Sequence, residues 1–194
     1  GSGQCVVPNG GIEARLSTNP IVYAIPVAGQ DPIILDMSTS VVASGKIRIK
    51  KNRGESVPEG WIIDSKGNPT TNVDDFYGPP PGALLPLGGI ASHKGFGLSL
   101  IVDILSGALG GGGCSREGAS RLGNGFFAIT IKVDSFTEFS VFSQEVKRFI
   151  KYVKSTQRSA EAEEVYIPGE RGFRERDRRC RKGIFIEEET WLAI

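Results

Sequence analysis

Two segments of this chain gather side chains that could hold an anion. The first is LDMSTSVVASGK, residues 35–46, and the second is LLPLGGIASHKGFGLSL, residues 84–100. In the first, the apolar run Ile33, Ile34, Leu35 stops at Asp36, and the hydroxyls of Ser38, Thr39 and Ser40 open a short helix that carries Ser44, Gly45 and Lys46. In the second, a glycine-rich turn leads through His93 and Lys94 into a longer apolar helix. Corners of this kind bring free backbone N–H groups, hydroxyls and a lysine to one place, which suits the phosphates of a nucleotide cofactor. Neither segment is a Walker loop or a GxGxxG turn. Asp36 has two readings: it can accept a hydrogen bond from a ribose or orient a lysine, or it can simply cap the helix that follows.

Two further motifs complete a pattern: LSTNP at residues 16–20 and YIPGERG at 166–172. With these four motifs, in this order and at this approximate spacing, the chain resembles the type-2 malate/L-lactate dehydrogenase family, whose relatives include ureidoglycolate, sulfolactate and cyclic-imino-acid reductases. The resemblance runs over nearly the whole chain. It implies a mixed-sheet α/β fold without a Rossmann unit, and a hydride transfer between NAD or NADP and a small 2-hydroxy or 2-oxo acid such as malate or lactate. A homodimer is the expected assembly, and Cys5, Cys114 and Cys180, scattered without a disulfide framework, make a cytoplasmic protein with reduced thiols the expectation. By the same resemblance Asp36, Met37 and Ser38, then Ser44, Gly45 and Lys46, then His93 and Lys94, and finally Pro168, Gly169 and Glu170 line the cofactor, while Thr18 touches substrate. A long stretch expected before Val6, carrying the histidine proton donor, is not in this sequence. Some imino-acid reductases of the family place a relay aspartate where this chain has Lys46, so the resemblance favours a hydroxy acid over an imine. The competing reading is a relative without catalytic activity, which binds a nucleotide or a partner chain.

Each of these residues also has a plainer reading. His93 is the only histidine, and reduction of a 2-oxo acid needs a group that trades a proton near pH 7. Its place beside Lys94 and Gly95, in a cofactor-side motif, argues against the catalytic role, and the resemblance leaves the proton donor outside this chain. Lys94 at a helix start is disfavoured by the dipole unless an anion is present. Thr18 could form only a local turn before Asn19 and Pro20. Glu170 could serve only as the acidic first turn of a helix.

The elements that must position these residues follow from periodicity. Residues 21–25 and 33–35 read as two strands joined through the turn at Gly29, and a short helix with a basic end spans 41–50. Residues 54–89 hold so much Gly, Pro, Asn and Asp that no long element is expected, yet Trp61, Ile62, Ile63, Phe76 and Tyr77 anchor them as an ordered loop. Phe96, Leu98, Leu100, Ile101, Ile104 and Leu109 predict a helix buried on more than one face, with Asp103 as the exception. Residues 126–133 alternate as a strand, expected to share a sheet with those near Ile21 and Ile34. Phe139, Phe142, Val146, Phe149, Ile150 and Val153 set an amphipathic helix over 138–155. A short strand at 165–167 and a charged helix follow. This suggests a cofactor-binding domain over 1–155 and a C-terminal segment, 156–194, that must pack against other polypeptide.

Composition narrows the class. With 39% hydrophobic and 23% charged residues among 194, the chain has the balance of an ordinary globular protein. A net charge of +1 argues against a nucleic-acid partner, and the arginines of 171–181 are interrupted by Glu175 and Asp177, as on a solvated helix face. Cys5, Cys114 and Cys180 are too far apart for a CxxC metal motif or a disulfide framework, so no metal is expected. No apolar run approaches the ~20 residues that span a bilayer.

Overall fold

The computed structural model describes residues 3–118 and 123–192. The chain divides into two units. The first comprises Gly1–Ile21 and Met37–Ala128, and the second Val22–Asp36 and Ile129–Ile194. Residues 119–122, which follow in sequence the glycine-rich loop at 110–113, lie outside the described residues, as do residues 1–2 and 193–194.

The first unit is built on a three-stranded antiparallel sheet of β3 (Ile62–Ile63), β4 (Pro69–Thr70) and β5 (Ala83–Leu84), in the order β4-β3-β5. Pro69 lies on an edge strand, where a missing N–H costs no ladder bond. These strands and the short helix α2 (Val73–Tyr77) all come from the Gly/Pro-rich stretch, which is ordered as its anchors imply but is more regular than its composition suggests. Asn72 makes this possible, because its side chain caps α2 at Asp74 N. Ile62 and Leu84 are fully buried, and with Val6, Leu16, Val42, Ile47, Val57 and Val73 they form the core. Trp61 and Phe76 pack on its margin.

Helix α1 (Ser44–Asn52) seats Ile47 in that core and ends in Lys50 and Lys51, as the basic run predicts. Helix α3 (Ser92–Asp103) runs on into a π turn over Ile104–Ala108. Its burial corrects the sequence expectation. Leu98, Leu100, Ile101, Ile104 and Leu109 are all exposed, while the covered stripe is Gly95, Ser99, Asp103 and Gly107. The reason is backbone approach: a Cβ on Gly95 would stand 2.2 Å from Leu87 O, and one on Gly107 would stand 2.6 Å from Gly113 O. Small residues four apart let neighbouring loops lie directly on the helix, and bulky apolar ones cannot.

In the second unit, β1 (Ile21–Ile25) and β2 (Ile33–Met37) pair as a two-stranded sheet, the hairpin expected around Gly29. The terminal residues Ile21 and Met37 belong to the first unit. Helix α4 (Phe139–Lys154) forms where its periodicity places it. Two other elements do not form as predicted: residues 126–132 and 165–167 make no strand. Phe126, Ile129 and Ile131 are instead largely exposed. Alternation reports which faces a strand would have but says nothing of a partner edge, and without a ladder an extended segment stays irregular. Val27 is the only buried hydrophobic side chain of this unit among the described residues. Helix α5 (Glu170–Lys182) carries the arginine run on exposed positions, and α6 (Glu188–Leu192) closes the described chain.

Candidate functional site

LSTNP is the most tightly held of the four motifs. Its first residue is tied to the core sheet, because Leu16 O accepts from Cys5 N and Val6 N at 2.9 Å, and Leu84 N donates to Cys5 O at 2.8 Å. Burial pushes the Cys5 thiol up, and a hydrogen bond from the Thr18 backbone pulls it partly back. On the other side Thr39, fully buried, donates its N–H to Thr18 O at 2.9 Å and its hydroxyl to Asn19 O at 2.9 Å and Thr18 O at 3.1 Å. Asn19 is held at φ +32°. Thr18 itself is half-buried and sits between two fixed carbonyls.

The same Thr39 belongs to a ribbon. Ser40 bridges Pro86 in antiparallel sense, Val41 N donates to Leu85 O at 2.9 Å, and Leu87 N donates to Thr39 O at 3.0 Å. Ser38 turns inward on this ribbon, its hydroxyl donating to Ser40 O at 2.9 Å. Both helix corners spring from it: α1 follows residue 41 and α3 follows residue 87. Because the ribbon is antiparallel, the two helices leave by opposite ends. Ser44, Gly45 and Lys46 therefore form one group on α1, and His93 and Lys94 another on α3.

Both helices begin without a side-chain cap, at Ala43 and Ala91, and neither has an acidic residue in its first turn. Lys46 and Lys94 are exposed there and join no ion pair among the described residues. Positions around Gly45 and Gly97 are open, with nothing within 4 Å of a methyl placed on either. A 3-10 turn over Gly89–Ala91 leads straight into α3 and takes the Ser92 N–H onto Gly89 O, so the open amides are those of Ser44 and Gly45 at the start of α1. With Lys46 beside them they fit an anionic, phosphate-bearing group and would not fit a cation. The His93 ring is exposed and makes no hydrogen bond among the described residues.

In the second unit the structure brings Asp36 and the PGER turn to one strand. Ile34 N donates to Pro168 O at 3.1 Å, and Asp36 lies two residues on along β2, exposed and on the same strand face as Ile34. Gly169 has φ +98°, and a Cβ there would stand 3.0 Å from Ile34 N and 3.1 Å from the Phe173 ring, so only glycine suits this contact. Glu170 closes the turn on itself: its carboxylate accepts from Ile167 N at 2.9 Å, and its own N–H donates to Ile167 O at 3.1 Å. Met37 ends β2, half-buried.

Behind the turn stands an ion-pair network, where the charge pattern alone suggests only a solvated helix face. Lys154 meets Glu170 at 2.7 Å and Glu164 at 3.1 Å, and Arg174 holds Glu164 with two bonds of 2.8 and 3.0 Å. Arg171 and Arg174 both lie over the Tyr166 ring. A cleft of about 620 Å³ opens here, lined by both glutamate and arginine side chains. It contains none of the residues expected to line the cofactor.

Arg174, then Lys154, hold the Glu164 carboxyl down to about 2, and Arg178 with Arg179 do the same for Glu175. A carboxyl whose folded value lies below its unfolded one stabilises the fold above the unfolded value, and that gain is lost as pH falls through the folded value. The window for these two groups therefore runs from 4.5 down to about 2. Since both remain partly open to solvent, salt should blunt the effect. The expected result is a fall in the thermal midpoint across that window, steeper in low salt, and partly removed in Glu164→Gln. An identical acid profile for that variant and the parent would show that the network adds nothing.

Residues 1–194 match the Malate/L-lactate dehydrogenase family. The chain belongs to that family. It is 42% identical over 189 residues to a malate dehydrogenase of Pyrococcus horikoshii, covering 93% of this chain and 52% of that protein. It is 35% identical over 197 residues to a Δ1-pyrroline-2-carboxylate/Δ1-piperideine-2-carboxylate reductase of Pseudomonas putida, at 98% and 54% coverage. The solved structure of a sulfolactate dehydrogenase from Methanocaldococcus jannaschii superposes with a TM-score of 0.78 at 29% identity, covering 98% of this chain and 54% of that one. The chain thus spans about half the length of the curated relatives it matches. The fold is the non-Rossmann α/β arrangement of the family, with small mixed elements in place of a doubly wound sheet. No described helix is long and apolar enough to cross a membrane, and the described residues hold no cluster of three or more metal-ligating side chains.

Proposed function

We propose that this chain forms the cofactor-side part of an NAD- or NADP-dependent oxidoreductase that acts on a small 2-hydroxy or 2-oxo acid of the malate or lactate type. The observation that carries the proposal is the open start of α1 beside Lys46, with Lys94 exposed on the first turn of α3 and neither lysine in an ion pair among the described residues, inside a family whose relatives include dehydrogenases. When bound, a nicotinamide cofactor supplies or accepts the hydride. The residues of this chain bind and orient. In the first unit the amides of Ser44 and Gly45 with Lys46, and separately Lys94 with His93, face anionic or polar groups of the cofactor, while Ser38 stays folded on its ribbon. In the second unit Asp36 and the Pro168, Gly169, Glu170 turn offer a carboxylate and a fixed backbone edge, and Met37 is the next residue along β2. Thr18 presents its hydroxyl to the substrate. Lys46, in the position where some imine reductases carry a relay aspartate, supports a hydroxy acid as substrate. On this reading residues 1–155 bind cofactor and 156–194 pack against other polypeptide, in a cytoplasmic homodimer.

A second reading is a nucleotide- or partner-binding relative that does no chemistry. Its support is His93, the only histidine, which is exposed and whose ring makes no hydrogen bond among the described residues that would orient it as a proton donor.

Titrating reduced nicotinamide cofactor while following Trp61 and Trp191 emission tests the binding role. Lys46→Ala and Lys94→Ala are each expected to weaken binding by roughly 3- to 10-fold, the scale of one charged contact, with a weaker response in high salt. Unchanged affinity in both would remove the two corners from the cofactor site.

A further inference from the structure

Helix α3 carries a buried carboxyl group that neither cofactor nor substrate binding uses. Asp103 is 6% exposed, at the end of α3 beyond a run of otherwise apolar long side chains from Phe96 to Val102. Its two oxygens accept from Ser115 N at 3.1 Å and Ser115 Oγ at 2.5 Å, and one of them lies 3.5 Å from Asn19 Nδ2. That amide also donates to Ser99 O at 3.1 Å and to Ser99 Oγ at 3.2 Å, one turn earlier on the same helix. Asn19 is 5% exposed and adopts φ +32°, a backbone state that L-residues rarely hold unless their surroundings over-determine it. Pro20 directly after it also disfavours the right-handed helical alternative.

A buried acid costs solvation that an apolar residue of similar size would not, so its presence in the core of α3 calls for a reason beyond packing. The geometry supplies one. Thr39 fixes the carbonyls of Thr18 and Asn19. Ser99 and Asp103 fix the Asn19 side chain. Together they leave the Thr18–Asn19 peptide no free rotation, and the direction of the Thr18 side chain is set by α3 from a distance. Ser115 links the same carboxyl to the glycine-rich loop, so the order of that loop and the strain at Asn19 share one anchor.

We infer that Asp103 is a positioning residue: through Asn19 it holds Thr18 in its presented geometry, and through Ser115 it couples that geometry to the loop that follows α3. The consequence for turnover rests on the proposed substrate role of Thr18. The inference about geometry does not.

The experiment uses the protein expressed from its complete gene and compares Asp103→Asn, Ser115→Ala, Thr18→Val and the double variant Thr18→Val/Asp103→Asn. Asp103→Asn keeps the volume and sets an amide donor against either the Asn19 amide or the Ser115 N–H, whichever way it turns. KM for the 2-oxo acid is expected to rise roughly 5- to 10-fold, the scale of one hydrogen bond, with cofactor affinity unchanged and with no further rise in the double variant over Thr18→Val. Ser115→Ala, which removes one hydroxyl and leaves the rest of the network, should give a smaller rise in the same direction and keeps the test open if Asp103→Asn does not fold. Alongside, the backbone ¹H–¹⁵N resonance of Thr18 should move in Asp103→Asn and in Ser115→Ala. An unmoved Thr18 resonance in both variants overturns the inference, as does lowered thermal stability with KM unchanged while Thr18→Val raises it. If Thr18→Val itself leaves KM unchanged but the resonance moves, the positioning stands and the substrate role of Thr18 falls.

Discussion

Purified as these 194 residues, the protein is expected to reduce oxaloacetate, pyruvate or sulfopyruvate ~10²–10⁴-fold more slowly than a family member that has a positioned proton donor. Interconversion of an alcohol and a ketone moves a proton as well as a hydride, and the proton must come from a group held beside the reacting oxygen. Among the described residues nothing holds the one histidine of the sequence for that role. His93 lies exposed on the first turn of α3, and no hydrogen bond among the described residues selects its tautomer or direction. Steady-state assays with both directions of each acid pair, beside His93→Ala, check this. Background turnover, unaltered by the substitution, is the expected result. Robust turnover abolished by His93→Ala would make His93 the acid and would overturn the assignment of the α3 corner to the cofactor.

The second large effect is steric. Gly95→Ala is expected to lower stability by about 3 kcal/mol or more, the upper range for overpacking a site that cannot give. A Cβ there meets Leu87 O at 2.2 Å, Leu87 N at 2.6 Å and Leu87 C at 2.9 Å. These are backbone atoms, and Leu87 N is itself committed to Thr39 O at 3.0 Å, so relief would mean breaking the ribbon from which both helix corners spring. In a domain of this size that loss corresponds to a midpoint roughly 6–12 °C lower. The control lies two residues on. Gly97 is on the same helix with nothing within 4 Å of where a methyl would stand, so Gly97→Ala should be neutral or stabilising by up to about 1 kcal/mol through helix propensity alone. Thermal unfolding followed by circular dichroism separates the pair. Equal midpoints for the two variants would mean that α3 can slide on the 85–88 segment, and the close approach would lose its role in placing Lys94.

Much of this molecule could be read from its residues in order. Local chemistry wrote the hairpin around Gly29, the basic end of α1, the amphipathic α4 and the PGER turn that opens α5, because each depends on neighbours within a few positions. The family, too, was legible, since four short motifs in a fixed order carry it without reference to coordinates. Where the reading failed, the missing information was about partners. Residues 126–132 alternate like a strand and find no edge, and α3, apolar nearly all round, buries its glycine, serine and aspartate stripe because backbone, not side chain, lies against it. The same applies to function. Sequence could name Asp36, Lys46 and Lys94 as candidates by type and place, since a lysine after a helix start and an acid at a strand end carry meaning alone, and the family resemblance adds Thr18. It could not show that Asp103, 84 positions from Asn19, closes on that side chain, or that Ile34 donates to the carbonyl of Pro168. Those contacts exist only once the chain has returned on itself, and hydrogen bonds between distant residues leave no periodicity in the sequence that would announce them.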